Sequence, residues 1–177
     1  VASALHAGLT EWGPGDEPLR LVHRDVKPAN IRIDRHGRAV LLDFGIAHAA
    51  GGDRAARTAT GMVVGSLGYL SPERLHRGLV DPAADVFALG ICLLEAVVGR
   101  PGSPRVLPHS IQGLASVLAT RVDLDDHLAE PIGAAPVELR ELIRSMTLFE
   151  PEHRPTAAQV RDTCMILADR LEGRSLK

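Results

Sequence analysis

Four polar residues set the chemistry that this sequence could perform. Asp25, Lys27 and Asn30 fall in the run Val22-His23-Arg24-Asp25-Val26-Lys27-Pro28-Ala29-Asn30, and Asp43 follows an apolar stretch and precedes Phe44-Gly45. Pro28 and the short polar spacing predict a rigid loop rather than a helix. An acid, a cation and an amide in one loop, with a second acid one hairpin away, suit phosphoryl transfer. One carboxylate can orient a hydroxyl nucleophile, the lysine can neutralise phosphate charge, and Asn30 with Asp43 can ligate magnesium through hard oxygens. Taken singly, each residue reads as a solvated loop charge. The ordered set does not.

Such a set needs a frame. Two apolar runs, 31–34 and 39–42, flank Arg35-His36-Gly37-Arg38, which predicts a hairpin that brings Asn30 and Asp43 together. Leu21-Val22 reads as a short strand feeding the loop. Upstream, Val1, Leu5 and Leu9 recur at helical spacing over 1–10, and the Gly- and Pro-rich residues 11–20 read as an inserted loop without an assigned role. The stretch between Gly45 and Ser71 has no sustained period and reads as a loop. Ser71-Pro72-Glu73 has the pattern of a helix start, with Ser71 as N-cap and an end near Gly78. Asp81-Pro82 repeats that start for a helix over 82–98. Its apolar residues lie on nearly every side, so it reads as a buried central helix that Gly99 stops. Asp85, near its beginning, is then a buried acid in need of partners. Weak patterns mark 111–118 and 122–128. A clearer amphipathic helix covers 137–148, and Thr156 with Gln159 forms a capping box for a last helix through Leu171.

With these residues in view, the chain resembles the catalytic half of a protein kinase. His23-Arg24-Asp25 with Asn30, Asp43-Phe44-Gly45 and Ser71-Pro72-Glu73 carry the resemblance, which is nearest to the bacterial, eukaryotic-like Ser/Thr kinases. It implies the α+β protein kinase fold, with this chain as its mainly α-helical large lobe bearing one small β-hairpin. Residues 22–45 would hold the catalytic loop and metal-binding segment, 46–73 the activation segment, and 137–171 the C-terminal helices. The resemblance implies ATP with Mg²⁺ or Mn²⁺ as cofactors, and protein substrates with Ser or Thr acceptors. Asp25 and Lys27 would be catalytic, and Lys27, Asn30 and Asp43 would meet the nucleotide and metal. Lys27 ahead of Pro28 points to Ser/Thr rather than Tyr acceptors. Ser66 stands where the family has a threonine that contacts Asp25 and Lys27. Glu73 is expected to pair with Arg154, and Asp85 to accept backbone hydrogen bonds around His23-Arg24. Thr58 and Thr60 are candidate phosphosites for Arg24. The glycine-rich strands, lysine strand and Glu-bearing helix of the small ATP-covering lobe are absent here, and that lobe is expected upstream.

Composition bounds the alternatives. The 177 residues are 45% hydrophobic, enough for one sizeable core. The net charge of −2 and pI of about 6.5 give no electrostatic case for nucleic acid or an anionic membrane. Cys92 and Cys164 stand far apart, which suits two free thiols in a reducing cytoplasm. No apolar run reaches the roughly 18 residues of a membrane span, and no signal peptide is visible. A non-catalytic module built on a kinase lobe is the alternative, and four retained polar groups weigh against it. Small-molecule phosphotransferases with a similar acid–amide–acid layout are disfavoured by Ser71-Pro72-Glu73 and Arg154.

Overall fold

The helix that opens at Asp81 is apolar all round, and the fold is built to bury it. In a computed structural model that describes residues 1–13, 15–44, 67–77, 81–99 and 135–175, helix α1 covers Ala2–Thr10, α2 Pro72–Arg77, α3 Pro82–Val98, α4 Val137–Met146 and α5 Ala157–Ser175. One antiparallel hairpin, β1 (Ile31–Ile33) with β2 (Ala39–Leu41), is the sheet among the described residues. The expectations at Gly45, Thr58, Thr60, Ser66, Gly78, 111–118 and 122–128 lie outside the described residues.

Asp81 caps α3 by accepting the Ala83 amide at 2.7 Å, and Pro82 takes the first helical position, where no amide is needed. Residues 84–92 are buried without interruption. The helix ends at Gly99, whose φ of 70° lies in the left-handed region that glycine enters at little cost. Helices α1, α4 and α5 pack on α3, and α1 also packs on α5. One core joins Leu5, Val26, Val86, Leu89, Met146 and Val160 across these helices. A second, smaller one gathers Phe87, Ile91, Leu94 and Ile143 between α3 and α4. Val26 thereby anchors the middle of the polar loop in the helical core.

The hairpin pairs Ile31 with Leu41 and Ile33 with Ala39. Asp34 accepts the amides of His36 and Arg38 at 2.8 and 2.9 Å, closing the turn as an Asx motif. Capping at α5 is reciprocal. Gln159 Oε1 accepts the Thr156 amide at 2.8 Å and Thr156 Oγ1 accepts the Gln159 amide at 3.3 Å. That helix runs past Leu171 to Ser175.

Three expectations change. Leu21-Val22 is not a strand, because the Leu21 amide donates to the Gly8 carbonyl at the end of α1 and finds no strand partner. The segment with Pro28 closes as one 3₁₀ turn, Pro28–Asn30, in which the Asn30 amide returns to the Lys27 carbonyl at 3.0 Å. Ser71 Oγ, expected to cap α2, is buried and makes no well-formed hydrogen bond, and it faces the Glu73 carboxylate closely enough to help lower that group's pKa. The inserted loop is closed on itself by a bridge between Trp12 and Pro18 and by the Gly13 amide donating to the Glu17 carbonyl at 2.8 Å.

Candidate active site

Local turns gather three of the four polar residues. The Pro28–Asn30 turn folds Asn30 back over Asp25, and its side-chain nitrogen donates to the Asp25 carbonyl at 2.8 Å and to Asp25 Oδ2 at 3.0 Å. Both partners are acceptors, so the amide nitrogen must face them, and Asn30 Oδ1 is turned to the other side. Lys27 Nζ lies 2.8 Å from the same Asp25 Oδ2. One carboxylate oxygen thus takes two donors, while Asp25 Oδ1 makes no hydrogen bond among the described residues.

The hairpin supplies the fourth. The Leu42 amide donates to the Asn30 carbonyl at 2.8 Å, which extends the ladder by one step and sets Asp43 beside the turn. Asp43 is exposed, makes no ion pair or hydrogen bond among the described residues, and holds a φ of 55°. Arg24 holds a φ of 70°. Non-glycine residues in this region carry a cost of about 1–3 kcal/mol each and persist where the surroundings over-determine them.

His23 links the two segments. It is fully buried, and its Nε2 lies 2.9 Å from the Leu42 carbonyl. Its Nδ1 accepts the Asp25 amide at 3.3 Å, which assigns the ring proton to Nε2 and lets that atom donate. Phe44 packs on the same ring at 4.8 Å between centroids, with its edge against Gly8 of α1.

The loop is fastened from below by charge. Asp85 Oδ2 accepts the His23 amide at 2.6 Å and Oδ1 the Arg24 amide at 2.8 Å. Burial raises the Asp85 carboxyl above its ordinary value, and those two amides oppose the rise. Glu73 and Arg154 form a buried bidentate pair, with both N···O distances at 2.8 Å. Arg154 also donates to the carbonyls of Leu148, Phe149 and Ala83 at 2.7, 2.8 and 3.1 Å, so all five of its N–H groups are used. Its guanidinium sits over the Phe87 ring at 5.0 Å. Burial acts to raise the Glu73 carboxyl, yet the Arg154 bonds leave it below its ordinary value.

Three contacts have no counterpart in the sequence reading. Tyr69 donates to Glu95 Oε2 at 2.7 Å, holding the Leu67–Tyr69 turn on α3, and burial with the Glu95 carboxylate pushes its phenol well above the ordinary range. The Leu42 carbonyl is the acceptor for His23. Arg74 Nη1 donates to the Arg24 carbonyl. Each of the three ends on a group, or spans a distance in sequence, that no local motif announces.

Residues 18–165 match the protein kinase domain family. The chain belongs to the protein kinase family. Members of that family use ATP and a divalent metal. This kinase chain is 34% identical over 181 residues to Tyrosine-protein kinase MasK of Myxococcus xanthus, covering 98% of the chain and 26% of the relative. It is 36% identical over 156 residues to Probable serine/threonine-protein kinase PkwA of Thermomonospora curvata, covering 88% and 19%. It is also 36% identical over 135 residues to Serine/threonine-protein kinase PknL of Mycobacterium tuberculosis, covering 76% and 32%. The kinase chain therefore spans less than a third of the length of each of these relatives. A mostly helical fold with one two-stranded sheet agrees with the family. No helix of the kinase chain among the described residues is long and apolar enough to cross a membrane.

Proposed function

We propose that this chain is the larger, mostly helical lobe of a kinase catalytic domain whose whole protein transfers the ATP γ-phosphate to serine and threonine hydroxyls of proteins. The Asp25 carboxylate carries the reading. Lys27 and Asn30 hold one of its oxygens at 2.8 and 3.0 Å, and among the described residues the other takes no hydrogen bond, which is what a group orienting an incoming hydroxyl requires. Lys27 would also neutralise charge on the γ-phosphate.

Asn30 and Asp43 fit a hard divalent cation, Mg²⁺ or Mn²⁺. The first has its nitrogen committed to Asp25 and its oxygen turned away, and the second is an exposed carboxylate without another partner among the described residues. When bound, such an ion neutralises phosphate charge. His23, Arg24, Phe44 and Gly45 would support these groups, while Glu73, Asp85 and Arg154 would fix the frame. Thr58 and Thr60, in an activation segment over 46–73, would be modified to pair with Arg24. The hairpin supports a second, small lobe above it, since Ile33 and Val40 are 66% and 45% exposed and a lone two-stranded hairpin is marginal in water. Two free thiols support a cytoplasmic setting.

The test uses the full-length protein. Asp25→Asn should lower turnover by about 10²- to 10⁴-fold with ATP affinity little changed, and near-normal turnover in that variant would sink the assignment. Phosphoamino-acid analysis should find phosphoserine and phosphothreonine. Phosphotyrosine alone would favour the acceptor named for MasK.

A further inference from the structure

Arg74 stands next to Glu73 in the first turn of α2, partly buried, and the reaction scheme leaves it without a task. Its Nη1 donates to the backbone carbonyl of Arg24, the residue that precedes Asp25. Asp85 holds the same short run from another helix, taking the amides of His23 and Arg24 at 2.6 and 2.8 Å. Three backbone atoms are therefore gripped by two side chains of opposite charge. Within this grip Arg24 keeps a φ of 70°, a left-handed conformation that an arginine leaves when nothing holds it there. A return to negative φ at Arg24 would swing the next residue, and Asp25 would lose its approach to Lys27 and Asn30.

The chemistry suits the site. A carbonyl accepts only, and a guanidinium donates without exchanging its proton at neutral pH. Asp85 and Asp25 favour the Arg74 charge against the burial that draws its pKa below the ordinary value. The adjacent residue in α2, Glu73, reaches the other way into the helical core to meet Arg154. Helix α2 thus carries two neighbouring hooks, one fixed to the core and one to the loop.

We propose that Arg74 is a positioning residue. It pins the Arg24 carbonyl, fixes the left-handed turn before Asp25, and so sets the orientation of that carboxylate. The proposal rests on the reading of Asp25 as the group that orients the substrate hydroxyl.

In the full-length protein, Arg74→Met should lower kcat by about 10- to 100-fold, as a misplaced catalytic group does. The KM values for ATP and for a peptide substrate should stay within about twofold. Arg74→Lys, which restores one cationic donor, should recover most of the loss. Hydrogen–deuterium exchange should show faster amides over 23–26 in Arg74→Met, with α3 and α4 unchanged. Wild-type kcat in Arg74→Met, or unaltered exchange over 23–26, overturns the proposal. A full kcat loss in Arg74→Lys at wild-type exchange does so as well. If Arg74→Met does not fold, Arg74→Gln is to show the same kcat loss at the wild-type thermal midpoint, and wild-type kcat there counts against the role. The exchange arm needs no turnover, so a wild-type protein without phosphotransfer would refute the reading of Asp25 while Arg74 is still decided.

Discussion

At the scale of single residues, the contacts divide into those that sequence spacing announces and those that it cannot. Asp25, Lys27 and Asn30 meet because one turn separates them, and their types and spacing declare it. The pair Glu73–Arg154 spans 81 positions and becomes legible only through family resemblance. The bond from Arg74 to the Arg24 carbonyl had no such route, since every residue carries a carbonyl and a lone helical arginine reads as solvated. Breaking the buried pair from one side should be costly. Arg154→Met would leave Glu73 buried without its cation and remove a donor from three carbonyls, and should lower stability by about 3–5 kcal/mol in chemical denaturation. Acid should weaken the same pair. The Glu73 carboxyl titrates in the folded state below its ordinary value of 4.5, so its contribution is complete above that value and is lost as pH falls through the lower one. Asp85, raised by burial, runs in the opposite sense. The difference between wild type and Glu73→Gln, followed by thermal midpoint from pH 6 downward, isolates Glu73. It should shrink below about pH 4.5, and a difference constant with pH would contradict the assignment.

At the scale of elements, the periodic signals were strong where burial is one-sided or complete. Helix α3 was legible because nothing except a buried helix tolerates apolar residues on nearly every face. Leu21-Val22 misled because two apolar residues before a polar loop resemble a strand, whereas the Leu21 amide is taken by the end of α1. The last helix runs on past Leu171 to Ser175 because Gly173 does not take the left-handed φ that would end it and is carried within the helix. The contact between α3 and α4 gives a test of its own. A Cβ placed on Gly90 would come within 2.9 Å of both Met146 Cβ and Thr147 Cγ2, two atoms close to the backbone of the facing segment. Gly90→Ala should therefore push the helices apart. The gain of about 1 kcal/mol in helix propensity is outweighed by overpacking of about 1–3 kcal/mol. Differential scanning calorimetry should show a lowered midpoint, and a raised one would mean that the helices can part without cost.

At the scale of the whole molecule, the site is assembled from opposite ends of the described chain. Asp25 and Asn30 come from the loop after α1, Asp85 from the start of α3, and the anchor for Glu73 from the turn before α5. The hairpin that carries Asp43 has exposed apolar residues, and so has the inserted loop, where Trp12 is 67% exposed. If a second lobe covers the hairpin, the 177-residue chain should bind Mg·ATP more weakly than the full-length protein, as titration calorimetry would show. Equal affinities would remove the need for that lobe in nucleotide binding.

The two long-range fastenings also bear on the order in which the chain acquires its structure. Helices α1, α3 and α5 need only local bonds and can form within microseconds of collapse. The links from Asp85 to His23 and from Arg154 to Glu73 close loops of 62 and 81 residues, and such closures are entropically late. A newly made chain would thus reach most of its helical content before Arg24 is forced into its left-handed turn. Assembly of the reactive loop then waits on synthesis of the turn that contains Arg154, near the end of the described chain.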